Sequence, residues 1–561
     1  MRTGSWRLFT ALSALLLLAA CKDSTTDGGG YTNPSVQITL QAQFEKRPLT
    51  SAGFGATALK PIRYGWAEVR DASTQTVVAS GYLGSDGTGA VSIPQGLSVY
   101  LQVYAQYQVP SADPSSPFLR GSVKNAPEPA TYLTGTAFSA IPDWSVTSSP
   151  VLVNQAGTLA VTALASNRIA GAFNIADQAV TFGAAVRDMD ASTTLRLPNL
   201  HTFWTTSTTA ADQQRTYPAV LQSSATAILT SGGRAIFTHQ VYGQGSGAAN
   251  TETDEWDDGV LQETFARLLF ADYSFKPDGS SSLSMLRRDN DNVWVDRAVQ
   301  SESTAAFAAG FSDFLSAAVR NNGQILDSYV DAGGAAQVDV FDLTDHSYVP
   351  AAAKGEFARG SIAVSLWGLW KNVLGGGSAG LNTLWAAVRS TTAYPNGTGE
   401  YEQATLGCYP TYLQGVASRV TSTTWTAALN ELALELVANP DATYFNSSAL
   451  WQTVSLPFSG AGTLQTYAAS ANLYYDQNQS QAWRFVHLGG ARTLTMTPTG
   501  GQDFYLELIG PGGWVAGSYS SPAGSTRTLN LTNLPAGTYV ARVRAGATTA
   551  TGTYGYNLSI N

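Results

Sequence analysis

The chain has 561 residues and a formal net charge of −9, and only 13% of its residues are charged, against about 25% in typical soluble domains. The acidic balance, with no basic patch to neutralise phosphates, argues against nucleic acid as a partner. Beyond the N-terminus no stretch is apolar for long enough to cross a membrane. The length suits three or four domains, and abundant Gly, Ser, Thr and Ala suit a secreted, β-rich protein with polar, uncharged surfaces.

Arg2 and Arg7 form a positive n-region, and residues 8–20 a short apolar segment that ends in Leu18-Ala19-Ala20-Cys21. These residues resemble the lipobox of bacterial lipoproteins; an ordinary secretory signal with a chance cysteine is the other reading. The resemblance implies a signal peptide over residues 1–20, acylation of Cys21 and a membrane partner through that lipid anchor. Several acyl chains at one site anchor stably. Lys22, in place of the Asp of an inner-membrane retention signal, implies the outer membrane if the cell is Gram-negative. Residues 21–34 are a flexible tether. Once Cys21 carries lipid, Cys408 has no cysteine to pair with; in LGCYPTYL, with no histidine nearby, it reads as a buried structural thiol.

From Ser35 onward Val36, Ile38, Leu40, Ala42 and Phe44 alternate with polar neighbours, as a half-buried strand requires. Further strands are predicted over residues 64–70, 76–82, 90–93 and 98–107. The run GWAEVRDASTQTVVASGYLGSDGTGAVSIPQG, with a turn at Asp86-Gly87, resembles carboxypeptidase-regulatory-like β-sandwiches. An unrelated immunoglobulin-like sandwich has the same pattern. Either makes residues 35–165 an all-β spacer or adhesion domain with no visible chemistry.

Near residue 165 the pattern changes. Ile169, Phe173, Ala176, Val180 and Ala184 recur at helical spacing, and strands are predicted over residues 195–204 and 234–242. Residues 253–270, TDEWDDGVLQETFARLLF, are an acidic loop running into an amphipathic helix with Leu261, Phe265, Leu268 and Leu269 on one face. The outline of this stretch, and the order of elements leading to it, resemble bacterial gluzincin metallopeptidases, whose zinc helix reads roughly TDEFDDHVILHEFGHYL. That motif sets two histidines four residues apart on one helical face, with a glutamate between them as general base.

The resemblance implies zinc-ligand positions at Gln262 and Ala266 and the general base at Glu263. The third ligand position is Ala309, in Phe307-Ala308-Ala309-Gly310-Phe311, which stands where the family has F-x-E-G-W. Here Phe307, Phe311, Phe314 and Ala318 mark one face of a helix. A later helix over residues 360–373, GSIAVSLWGLWKNV, resembles the family segment that packs behind the site. Residues 425–437 give another amphipathic helix, with Leu429, Leu432 and Leu436. The resemblance implies an α+β, mainly helical metallopeptidase-like domain over residues 166–455.

Residues 456–561 return to strands, predicted at 483–486, 493–496, 504–508 and 538–543. QDFYLELIGPGGWVAGS, LTNLPAGTYVARVRA and GTYGYNLSI resemble the bacterial pre-peptidase C-terminal domain, an all-β jelly-roll sandwich. Turns are expected at Pro511-Gly512-Gly513 and Pro535-Ala536-Gly537. Such domains assist export or bind matrix and substrate polymers; Asp476 and Asp503 are too few for a calcium site.

A zinc hydrolase needs three protein ligands, an open position for water and a base. Alanine has no donor atom and a neutral amide is a poor ligand, so zinc is expected to be absent and Glu263 to have no metal-bound water to activate. Of the four histidines, His201 and His487 lie in strand-like segments and read as structural. His239 and His346 lie nearer the acidic loop, which leaves a rebuilt site of His346, Glu263 and Asp257 or Asp258 as an alternative without metal-ligand spacing. TDEWDD and RRDNDN lack the calcium-loop pattern and read as solvated loops, with Asp254 and Asp257 as caps of the following helix. No G-x-S-x-G elbow, P-loop or dinucleotide fingerprint is present. The expectation is an envelope lipoprotein whose middle domain is a non-catalytic binding or structural scaffold, with a peptide, a protein or an envelope polymer as partner. The alternative is an active envelope hydrolase with an unorthodox site.

Overall fold

The computed structural model describes residues 33–113, 116–125, 141–190, 197, 199–206, 219–220, 230–231, 234–235, 238–242, 254–273, 297–298, 300, 303–330, 336–389, 408–441, 451–466, 478–480, 482–510, 513–519, 522–546 and 552–561. Cys21, the tether as far as residue 32, the RRDNDN run, Asp476 and Pro511-Gly512 lie outside them.

Alternation builds the first part of the molecule. Strand β1 (Ser35–Lys46) buries Ile38, Leu40, Ala42 and Phe44 at every second position, each of the larger side chains contributing about 1.5–3 kcal/mol on burial. There follow β2 (Ala58–Pro61), β3 (Gly65–Asp71), β4 (Val77–Tyr82), β5 (Thr88–Pro94), β6 (Leu97–Val109), β7 (Leu119–Asn125), β8 (Ser145–Thr147), β9 (Val151–Val153) and β10 (Gly157–Ala163). β1 pairs with β2 and β5 antiparallel and with β10 parallel. β3, β4, β6 and β7 begin a second sheet, in which β8 and β9 pair with β6.

That second sheet does not stop at residue 165. Helix α1 (Ile169–Met189) packs on β6 and β7, and the chain then returns through β11 (Asn199–Trp204), β12 (Ala219–Val220) and β13 (Thr238–Tyr242). β11 lies between β7 and β13, parallel to both. Its approach to β7 requires Gly121, because a Cβ there would sit 1.9 Å from the Leu200 carbonyl oxygen. α1 is long and apolar enough to cross a membrane by composition, with a mean hydropathy of 1.2, but 72% of that stretch is buried inside the protein. It is a core helix; the sequence reading had found no stretch here apolar enough to span, although this one passes by length and composition.

The helical part comprises α2 (Asp258–Tyr273), α3 (Ser303–Arg320), α4 (Arg359–Gly368), α5 (Ser378–Arg389), α6 (Tyr409–Ala417) and α7 (Ser422–Ala433), with the hairpin β14 (Gln324–Val330) and β15 (Ala336–Asp342) between α3 and α4. α4 continues as a π-helical turn over Leu369–Val373. α3 packs against both α2 and α4. One hydrophobic core runs without a break from Ile38 to Val437.

A second core begins beyond it. Strands β16 (Trp451–Thr453), β17 (Phe458–Thr466), β18 (Asn478–Ser480), β19 (Ala482–His487), β20 (Gly490–Pro498), β21 (Phe504–Gly510), β22 (Gly513–Ser518), β23 (Arg527–Leu534), β24 (Gly537–Ala545) and β25 (Gly552–Ile560) form two five-stranded sheets. Their orders are β16-β19-β24-β21-β22 and β18-β17-β25-β20-β23. The protein is thus a multidomain, β-rich chain with helices concentrated in its middle.

Candidate functional site

A short 3₁₀ turn, Asp254–Trp256, feeds the acidic loop into α2. Leu261, Phe265 and Leu269 face the core from this helix, as their spacing predicts. The side chain of Leu268 lies outside the described ones. The neighbouring positions are what the resemblance marks as a metal site. Gln262 is fully buried, and its amide nitrogen donates to Gln178 Oε1 on α1 at 2.7 Å. Ala266 and, on α3, Ala309 are buried as well.

Glu263 is one residue on and about 100° further round the helix. Its Oε1 accepts from Arg267 Nε at 2.6 Å and from Arg359 Nη2, at the start of α4, at 3.2 Å. Arg359 also grips Asp313 of α3 through two parallel bonds, Nε to Oδ2 at 2.6 Å and Nη2 to Oδ1 at 2.8 Å. Arg297 adds a third donor to Asp313, at 3.3 Å. Burial alone raises the Asp313 carboxyl, but Arg359 and Arg297 outweigh it and hold the group below the usual carboxylate range. The Arg359 guanidinium is raised in turn, the two carboxylates overcoming its burial. Gly310 permits the arrangement, since a Cβ there would meet the Arg359 carbonyl oxygen at 2.7 Å.

A metal fit can be judged from these residues. Zinc requires three donor side chains converging on an open position. Of the marked residues, two are methyl groups, the third is tied to Gln178, and Glu263 is held by two guanidinium groups. The residues present do not fit zinc.

The acidic loop itself is not solvated, contrary to the sequence expectation. Asp254, Glu255 and Asp257 are buried. Glu255 pairs with Arg168, and Asp258 with Lys46 of β1, which also donates to Asn174 on α1 at 2.7 Å. Asp257 ties the loop to β14: its Oδ1 and Oδ2 accept from Ser328 Oγ and N, each at 2.7 Å. Asp254, Asp257 and Asp327, also on β14, each bring a carboxylate oxygen to within 4.8 Å of the others. Burial, and then the charge of Asp327, push the Asp257 carboxyl well above its ordinary value.

The histidines are placed elsewhere. His346 Nδ1 sits 2.9 Å from Glu435 Oε1, and His201 Nδ1 2.8 Å from Ser122 Oγ. Burial, aided by Lys124, pushes His201 down to about 3. His487 Nε2 lies 3.1 Å from the Leu534 carbonyl oxygen. The described acidic group contains no histidine; the side chain of His239 lies outside the described ones. Cys408 is buried, with Sγ 3.4 Å from Thr411 Oγ1. Asp313, Arg359 and Asp327 escaped the sequence reading. A charged residue inside the apolar helix FAAGFSDFLSAAV was the one available signal, because such a charge demands a partner.

No protein-family model matches the chain, and no curated protein matches it. Among solved structures, the pre-peptidase C-terminal domain of a collagenase from Bacillus anthracis is similar over 19% of this chain and 92% of its own, at 15% identity and a TM-score of 0.15. PliG of Aeromonas hydrophila, a periplasmic inhibitor of g-type lysozyme, is similar over 19% of this chain and 94% of its own, at 15% identity and a TM-score of 0.14. A 9R-lipoxygenase from Cyanothece covers 29% of this chain and 25% of its own, at 11% identity and a TM-score of 0.13. Each similarity is confined to a small part of the chain, and none brings an activity to it.

Proposed function

We propose that this chain is an envelope lipoprotein, anchored through Cys21 in the outer membrane, whose helical middle is a non-catalytic binding or structural scaffold of gluzincin-like ancestry. The C-terminal strands would act as a pre-peptidase C-terminal-like module that engages a peptide, a protein or an envelope polymer. The observation that carries the reading is the state of Glu263. At the position the resemblance gives to a general base, its carboxylate pairs with the cations of Arg359 and Arg267. A general base must reach the proton it abstracts and find it on a water or a substrate; a carboxylate locked between guanidinium groups beside two alanines has no such task.

The test is a peptidase assay on the full chain with unstructured protein and peptide substrates, with and without a chelator, beside Glu263→Gln. No hydrolysis in any sample is expected. Hydrolysis that a chelator abolishes and Glu263→Gln removes would establish the alternative, an active hydrolase with a rebuilt site.

A further inference from the structure

The ion pairs around α2 leave an imbalance at its entrance. Lys46 serves Asp258, Arg168 serves Glu255, Arg267 and Arg359 serve Glu263, and Arg359 and Arg297 serve Asp313. Among the described residues Asp257 is held by the neutral donors of Ser328, and the cation that offsets the burial of Asp327, Arg297, is shared with Asp313 and Asp339. Asp327 Oδ1 is buried and accepts no hydrogen bond among the described residues, although an oxygen of this carboxylate lies within 4.8 Å of oxygens from both Asp254 and Asp257. Three carboxylates brought together in the interior repel one another, and a buried acceptor left unmet costs about 1–3 kcal/mol. A cation between them answers both problems.

We infer that Asp254, Asp257 and Asp327 form a binding site for one calcium ion, which ties the acidic loop to strand β14. The donors are all carboxylate oxygens, which select hard cations over zinc or copper. Calcium takes oxygen ligands at about 2.3–2.6 Å in flexible geometry, so two of its ligands lie at most about 5 Å apart, which accommodates the spacing here. Magnesium, at about 2.0–2.1 Å, holds its ligands closer and keeps most of its water. The site is separate from the positions marked by the zinc resemblance: its three residues come from the loop before α2 and from β14, and none is Gln262, Glu263, Ala266 or Ala309. Its role is to fix the entrance of α2, and it does not depend on whether the scaffold reading holds.

The experiment is calcium titration by calorimetry, together with thermal unfolding, on the full chain after treatment with chelator and on its Asp327→Asn variant. Asp327→Asn removes a repelling charge, so the variant is expected to fold and to melt higher than the parent in chelator. The parent should bind calcium and melt higher with it; the variant should bind at least tenfold more weakly and gain little. No calcium binding by the parent, or equal binding by both proteins, overturns the site. Failure of calcium to stabilise the parent while Asp327→Asn still does would mean that Asp257 and Asp327 share a proton instead, and would also overturn it.

Discussion

The middle of the molecule and its C-terminal sheets bury ionic groups in opposite proportion. Around α2 and α3, among the described residues, carboxylates outnumber the guanidinium and ammonium groups that meet them. On β21 and β24 one carboxylate, Glu507, faces two arginines. It accepts from Arg542 Nε at 3.0 Å and Nη2 at 2.5 Å, with Arg544 Nη1 at 3.6 Å and Tyr519 OH donating at 2.7 Å. Burial would raise Glu507, but Arg542 and Arg544 win and hold it at about 2. In the middle, burial and the like charge of Asp327 push Asp257 up. Equal burial therefore stabilises or penalises a carboxylate according to the cations within reach. Glu507 is neutralised by arginines of its own sheet, whereas the acidic loop, on the inference above, takes a cation from outside.

The largest expected way to break this contrast is Arg359→Met. It leaves Asp313 and Glu263 buried with one fewer cation, and removing one partner of a buried pair costs about 3–5 kcal/mol. Denaturant unfolding followed by tryptophan fluorescence should show the loss in the larger unit, whose core holds Trp204, Trp256 and Trp385. A loss below about 1 kcal/mol would mean that the network does not hold the helices together.

Glu507→Gln is the counterpart in the smaller unit. The neutral amide keeps the shape but leaves Arg542 short of an acceptor, at an expected cost of about 1–3 kcal/mol. The pH dependence sharpens this. The folded value of Glu507 lies below its ordinary 4.5, so the stability it contributes is present above pH 4.5 and lost as pH falls through about 2. Acid titration of the unfolding free energy should show that limb in the parent and lose it in Glu507→Gln.

His201 gives the smallest effect at neutral pH, and its dependence on pH runs in the same direction as that of Glu507. Its folded value of about 3 lies below the ordinary 6.5, so the unfolded chain binds a proton first and stability declines as pH falls from 6.5 towards 3. His201→Gln, measured over that interval, should flatten the decline and leave stability above pH 7 nearly unchanged.

What the sequence made legible follows from range. The alternation of Ile38, Leu40, Ala42 and Phe44 is local, and β1 buries those four side chains. The helical spacing of Phe307, Phe311 and Phe314 is local, and α3 buries them. The loss of ligand atoms at Gln262, Ala266 and Ala309 is visible in residue identity alone. The charge network is not, because its members are far apart in the chain: Glu263 and Arg359 are separated by 96 residues, Asp313 and Arg359 by 46. Arg359 also falls one residue before the helix that spacing predicts. Asp327 hides in a strand whose partner, Asp257, lies 70 positions earlier, so the acidic loop looked like a solvated surface turn. The run of the second sheet past residue 165 was equally hidden, since the parallel pairing of β11 with β7 has no signature in either strand alone.

The central proposal, that Glu263 serves an ion-pair network and no metal, is tested most directly by elemental analysis of the purified full chain after zinc loading and exhaustive dialysis. The account predicts no retained zinc, with circular dichroism unchanged from the protein before loading. Stoichiometric zinc that disappears in Glu263→Ala would contradict it and return this chain to the working hydrolases.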